Sequence, residues 1–101
     1  MFDKQYSTRE VAETVGLDIQ MILWKMIDNW KKEDVTVDYL QVYELSIEFA
    51  FGEVYQKIIH SQEIPNKIDI FYYKSVSHPI TAKINIIDED GNGIMMFSDQ
   101  Y

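Results

Sequence analysis

Residues 88–93, Asp-Glu-Asp-Gly-Asn-Gly, carry the side chains best spaced for chemistry in this chain. Asp88, Asp90 and Asn92 stand at positions one, three and five of an EF-hand loop, with Gly93 at the sharp sixth and Asp99 at the twelfth. Calcium favours oxygen ligands at this spacing because the loop wraps the ion and closes on a bidentate carboxylate, normally Glu. Three features point away from that chemistry. Asp99 is a shorter carboxylate than Glu, residues 84–87 read as a strand rather than an entering helix, and only two residues follow Asp99 for an exiting one. A β-hairpin turn rich in Asp, Asn and Gly accounts for the same letters. Calcium binding by Asp88–Gly93 stays open; the reading adopted here expects no metal and no cofactor.

His60 and His78 are the only histidines, and they form no ligand pair at helical or hairpin spacing. A lone histidine on a strand is read as packing or surface rather than as a catalytic base. Glu44 and Glu48 share one face of a strand, but at about 3.3 Å per residue they lie roughly 13 Å apart, too far for a carboxylate dyad. The chain has no cysteine, which removes disulfides, thiolate metal sites and cysteine nucleophiles. Serine-hydrolase elbows, phosphate-binding glycine loops and dinucleotide fingerprints are absent as well. The expectation is a protein that is not an enzyme.

The elements that would position these residues follow from periodicity. Ile19, Leu23, Met26, Ile27 and Trp30 fall on one face of a helix spanning 17–32, with Asp18 at its start and Lys31 and Lys32 at its end suiting the dipole. A second apolar stripe, Leu17, Met21 and Trp24, lies toward the other side. From Tyr39 the period becomes two: Tyr43, Leu45, Ile47, Phe49 and Phe51 share one face, interrupted only by Gln41. Gly52 offers a turn into a returning strand, 54–60. Further strands are expected at 68–73, 81–87 and 94–97, the last two joined by the turn at 88–93. The fold class is α+β: a single domain over 1–101, with one main helix packed on an antiparallel sheet of about five strands in two layers.

Charge narrows function further. Seventeen acids against nine bases give −8, and two long stretches, 33–56 and 84–101, contain no base at all. Phosphate binding needs a basic stripe, so direct nucleic-acid binding is not expected. No apolar run approaches a membrane span or a signal peptide, which points to a cytoplasmic protein. Residues 6–24 are spaced like a helix-turn-helix, with Ser7 and Glu10 as a capping box and Gly16 at the turn. Its second helix, however, would present Asp18, Ile19, Gln20, Met21, Ile22 and Leu23, of which Gln20 alone is of the basic or amide type a DNA reader presents. A DNA-binding regulator is kept as the lesser alternative.

Five blocks carry a resemblance. They are K-x-Y-x-T-R-x-V at 4–11, L-D-I-Q-x-I-L-W-x-M-I-D at 17–28, D-Y-L-Q-V-Y-E-L at 38–45, Q-K-I-I-H-x-Q-E-x-P at 56–65 and A-K-I-x-x-I-D-E at 82–89. Together they resemble a family of short Firmicutes proteins, a staphylococcal-type domain of unknown function. The resemblance implies an extended 6–11 rather than a DNA-binding helix there, and it implies no activity. The chain departs from the family pattern at Gly16, where proline is usual, and around 49–55.

The reading reached from the residues is a non-enzymatic, acidic protein-binding module of a bacterium. Its partner is expected to be a protein with a basic surface, as for a phage- or plasmid-borne inhibitor that fills the nucleic-acid groove of a host nuclease in the manner of an anti-CRISPR protein. The expected binding residues are Asp38, Glu44, Glu48 and Glu53, with Leu17, Met21 and Trp24 as an apolar anchor. A housekeeping interaction or scaffold domain is the main alternative, and a homodimer stays open.

Overall fold

The change of hydrophobic period between residues 33 and 40 marks the boundary between a helical segment and a sheet-forming remainder. The structure is a computed structural model, and it describes residues 1–100. In chain order the elements are β1 (Lys4–Ser7), α1 (Arg9–Thr14), α2 (Leu17–Lys32), β2 (Leu40–Ala50), β3 (Glu53–Gln62), β4 (Lys67–Tyr73), β5 (Ala82–Glu89) and β6 (Asn92–Phe97), followed by a 3-10 turn, Ser98–Gln100. The fold is α+β with one six-stranded sheet in the order β1-β6-β5-β2-β3-β4. Neighbouring strands are antiparallel except β1, which runs parallel to β6 with Lys4 opposite Asn92 and Ser7 opposite Met95.

The strand beyond the expected five is β1, and its four residues explain why. With Lys4, Gln5 and Tyr6 exposed, the segment has no apolar alternation to announce it. The extended stretch expected over 6–11 stops at Ser7. Thr8 takes over as helix cap, its Oγ1 accepting from the Val11 amide, so the cap lies one residue after Ser7 and the expected capping box with Glu10 does not form. Ser7 instead donates to Gln20 Oε1.

Helix α2 occupies the expected span, and Ile19, Leu23, Met26, Ile27 and Trp30 are all buried. The first four share one cluster with Tyr43 and Leu45 of β2, Ile58 of β3, Ile84 and Ile86 of β5 and Met95 of β6, while Trp30 stacks on His60 beside it. Tyr43 Oη donates to the Leu23 carbonyl at 2.8 Å, satisfying a buried hydroxyl on the helix backbone. At the helix start Asp18 accepts from the Ser77 amide at 2.8 Å and from its hydroxyl, which ties the β4–β5 connection to α2 and lowers the Asp18 pKa.

Two tight turns carry the hairpins. Ala50 pairs with Glu53 and Glu89 with Asn92, so each loop has two residues. Both residues of each have positive φ: Phe51 and Gly52 at 55° and 76°, Asp90 and Gly91 at 52° and 88°. This is the mirror-image turn that matches strand twist, and it is why glycine stands at 52 and 91. Gly93 answers to space instead. A Cβ there would lie 2.8 Å from the Trp24 ring and 3.1 Å from Phe2. Gly93→Ala is therefore expected to destabilise by about 1–3 kcal/mol through overpacking, measurable as a lower thermal midpoint; an unchanged midpoint would show that the two rings can yield.

Candidate protein-binding surfaces

Length decides what the helix can cover. Eleven residues of β2 extend about 36 Å, whereas sixteen helical residues span only about 24 Å. The β2–β3 hairpin therefore outruns α2. Its tip residues Phe49 and Phe51 are 80% and 99% exposed, although the alternation of β2 placed them with the buried set. Phe51 also sits at positive φ without being glycine, an unusual place for a bulky side chain.

The seven residues expected to bind a partner do not form one surface. Glu44 and Glu48 do share the face of β2 opposite the core positions, but lysines oppose them. Glu48 Oε1 lies 3.2 Å from Lys57 Nζ, and that bond raises the Lys57 pKa. Glu53 lies 2.6 Å from Lys74, and Glu44 is in register with Lys83 across the β2–β5 ladder. Asp38 is engaged locally, accepting from the Tyr39 and Ile64 amides. Of the apolar anchor, Leu17 and Met21 are exposed on α2, but Trp24 is only 8% exposed. Trp24 closes against Gly93 and Phe2, because residue 24 lies one turn after Gln20 on the side of α2 that faces β1 and β6.

A different acidic surface arises from topology. The antiparallel pairing of β2 with β5 sets Leu40 opposite Ile87, and the Asp88 amide donates to the Tyr39 carbonyl at 2.8 Å. The two base-free stretches of the sequence thereby meet at one end of the sheet. Glu33, Asp34 and Asp38 arrive there from the α2–β2 connection, Asp88 and Glu89 from the end of β5, and Asp90 from the β5–β6 turn. Glu63 joins them from the β3–β4 connection, held close by the Asp38 amide donating to Gln62 Oε1. Lys4, Lys31, Lys32 and Lys67 stand at the same end: Lys67 pairs with Asp69 at 3.7 Å, whereas Lys31 keeps its charge in donating to the neutral Met1 carbonyl, so the end is acidic by excess of carboxylates rather than free of bases. The base-free runs were visible in the sequence; their meeting depends on strand order.

The EF-hand spacing resolves into this same corner. Asp88 Oδ1 accepts from the Phe2 amide at 2.6 Å and Oδ2 from the Gly91 amide at 3.4 Å, while Glu89 and Asn92 are cross-strand partners. Asp88 acts as a clasp on the hairpin and the N-terminal segment. Among the described residues, no three His, Asp or Glu side chains are grouped to hold a metal ion.

One imidazole and one carboxylate are cross-strand partners, His60 in the core and Asp69 half-buried beside it. His60 is fully buried, stacked between Trp30 at 3.8 Å and Tyr43 at 4.4 Å. Trp30 Nε1 donates to Asp69 Oδ2 at 2.6 Å. The Gln62 amide nitrogen donates to the carbonyls of Thr36 and Pro65, so its oxygen must accept from the Gln41 amide nitrogen at 2.8 Å. Gln41 Oε1 is then left to accept from His60 Nε2 at 2.7 Å, which fixes the proton on Nε2. Nδ1 keeps a buried lone pair without a partner. Burial pushes the His60 pKa down to about 3, with Asp69 opposing the shift. A neutral, solvent-sealed imidazole of this kind cannot exchange protons with a substrate near neutral pH. The arrangement is a packed polar core, and Gln41, the one break in the β2 alternation, is its hinge.

A crystal structure of a protein of unknown function from Enterococcus faecalis has a similar fold, with a TM-score of 0.75 over 98% of this chain and 91% of that one at 15% identity. Among curated proteins none matches. No helix among the described residues is long and apolar enough to cross a membrane. The family described as a staphylococcal protein of unknown function (DUF960) matches residues 4–100, and the chain belongs to that family.

Proposed function

We propose that this protein is a non-catalytic binding module whose acidic sheet end docks on a basic protein surface. The convergence of Glu33–Asp38 with Asp88–Asp90, two segments half a chain apart, is the observation that carries the reading. Carboxylates presented from several rigid connections suit a protein groove that otherwise binds phosphates, which is the chemistry of an inhibitor competing with nucleic acid. The tethering of these loops by Asp38, Gln62 and Asp88 supports it, since a preorganised array binds at lower entropic cost than a mobile one.

The test is affinity purification from a bacterial lysate at low and high salt, using the wild type and a triple variant, Glu33→Lys with Glu63→Lys and Glu89→Lys. Capture is expected to fall steeply with salt, and the triple variant to bind on the order of tenfold or more weakly. Glu44→Lys with Glu48→Lys should matter less. Capture indifferent to both salt and the triple variant would end this reading.

A scaffold domain with an apolar interface is the second reading, favoured by the exposure of Leu17, Met21, Phe49 and Phe51. Its binding would survive high salt. The DNA-regulator reading has the least support, because Asp18, Ile19 and Gln20 at the start of α2 are turned to internal contacts.

A further inference from the structure

Strand β4 ends the sheet, so one side of its seven-residue backbone has no strand beside it. Such edges template pairing unless lysines, prolines, bulges or a covering segment blunt them. β4 contains no proline, its register with β3 is unbroken from Lys67 to Tyr73, and its middle presents Ile68, Ile70 and Tyr72, each at least half exposed. Behind them on the same face stand Ser61, Ile59 and Lys57 of β3.

We propose that β4 pairs antiparallel with β4 of a second copy of this chain, with Ile70 on the two-fold axis. That register uses all seven residues. Ile70 meets Ile70, Ile68 meets Tyr72, Asp69 meets Phe71 and Lys67 meets Tyr73, so an apolar stripe closes on its own mirror partner. Moving the axis to Asp69 would set two carboxylates face to face and shorten the ladder.

Charge selects a second copy as the occupant. The chain carries −8, yet the charges on β4 and on the β3 residues paired with it are compensated internally: Lys67 with Asp69, Lys57 with Glu48, and just beyond, Lys74 with Glu53. A basic partner gains little from this neutral edge and is drawn to the acidic end instead. A second acidic copy is repelled elsewhere on the surface and least repelled here. Salt consequently acts with opposite sign on the two surfaces, weakening a basic partner at the acidic end and strengthening self-pairing at β4. The two inferences therefore stand or fall separately.

Sedimentation velocity from micromolar to millimolar concentration, at low and high salt, tests the pairing. The wild type is expected to shift toward twice the monomer mass with concentration, more readily at high salt. Ile70→Lys, which sets two ammonium groups face to face on the axis at an exposed position, is expected to weaken association by about tenfold or more. A chain that stays monomeric at millimolar concentration, or a dimer untouched by Ile70→Lys, overturns the proposal. If the variant loses its fold, hydrogen exchange on the wild type decides: β4 amides pointing away from β3 should slow as concentration rises. Exchange independent of concentration also overturns it.

Discussion

Trp30→Ala is expected to lower the unfolding free energy by about 3–5 kcal/mol. Trp30 is buried near the end of α2, where its ring does three things at once. It stacks on His60 at 3.8 Å, its Nε1–H holds Asp69 Oδ2 at 2.6 Å, and Lys67 Nζ sits 5.4 Å above it. Removing the ring uncovers one side of a neutral imidazole and leaves Asp69 to Lys67 alone. Trp30→Phe separates these roles, since it can keep a stack but has no donor; a loss of about 1–2 kcal/mol is expected for it. Urea denaturation of the three proteins measures both. A Trp30→Ala loss below about 1 kcal/mol would mean that the α2 end is not anchored through this ring.

Acid should unfold the protein earlier than its carboxylates alone require. His60 ionises with a pKa of 6.5 in an unsupported chain, but is held neutral in the fold down to about 3, because burial removes the water that would solvate its charge. Between those values the unfolded chain binds the additional proton. Stability from this group is thus complete above about pH 6.5, declines by up to roughly 1.4 kcal/mol for each unit of acidification, and levels off near pH 3. The total is on the order of 5 kcal/mol. Asp18 and Glu10, whose pKa values are lowered by hydrogen bonds to Ser77 and Gln100, add their losses only at lower pH and from exposed or half-exposed positions. His60→Gln keeps a donor for Gln41 and cannot titrate. It should be less stable at neutral pH, yet nearly flat in stability from about pH 6.5 to 4.5, where the wild type slopes. Parallel curves for the two proteins would reject the assignment.

Both predictions rest on residues whose types were plain in the sequence but whose company was not. His60 reads as a packing histidine on a strand, and it is one. Its partners come from α2, thirty residues earlier, and from β2 and β4, one strand away on each side. Gln41 reads as a flaw in an alternating strand. It is an inward-facing member of a polar network closed by Gln62 and by the backbone carbonyl of Asp38. Inward glutamines leave no periodic trace, because a hydropathy pattern scores them as solvent-facing.

The residues expected to bind a partner are dispersed for the same physical reason. Alternation correctly set Glu44 and Glu48 on one face of β2, but one strand cannot reveal the lysines its neighbours bring. Lys57 and Lys83 arrive from β3 and β5, and they turn an apparent acidic stripe into a nearly neutral sheet face. Trp24 belonged to an apolar stripe with Leu17 and Met21, yet only Trp24 is covered, since β6 offers Gly93 as a place for its ring.

By itself the sequence determined the local elements: helix α2, the strands within one or two residues at most ends, the turn at Gly52, and the core stripe from Ile19 to Trp30; the turn expected over 88–93 narrows to Asp90 and Gly91, because Asp88, Glu89, Asn92 and Gly93 pair in the ladder. These follow from dihedral preference and hydrophobic period, which act over a few neighbours. Strand order, the parallel entry of β1, the exposed hairpin tip and edge, and the gathering of acids at one end were decided only by tertiary structure. Each depends on which distant segments share a ladder and on how far a helix reaches along it, and no short window of residues carries that information.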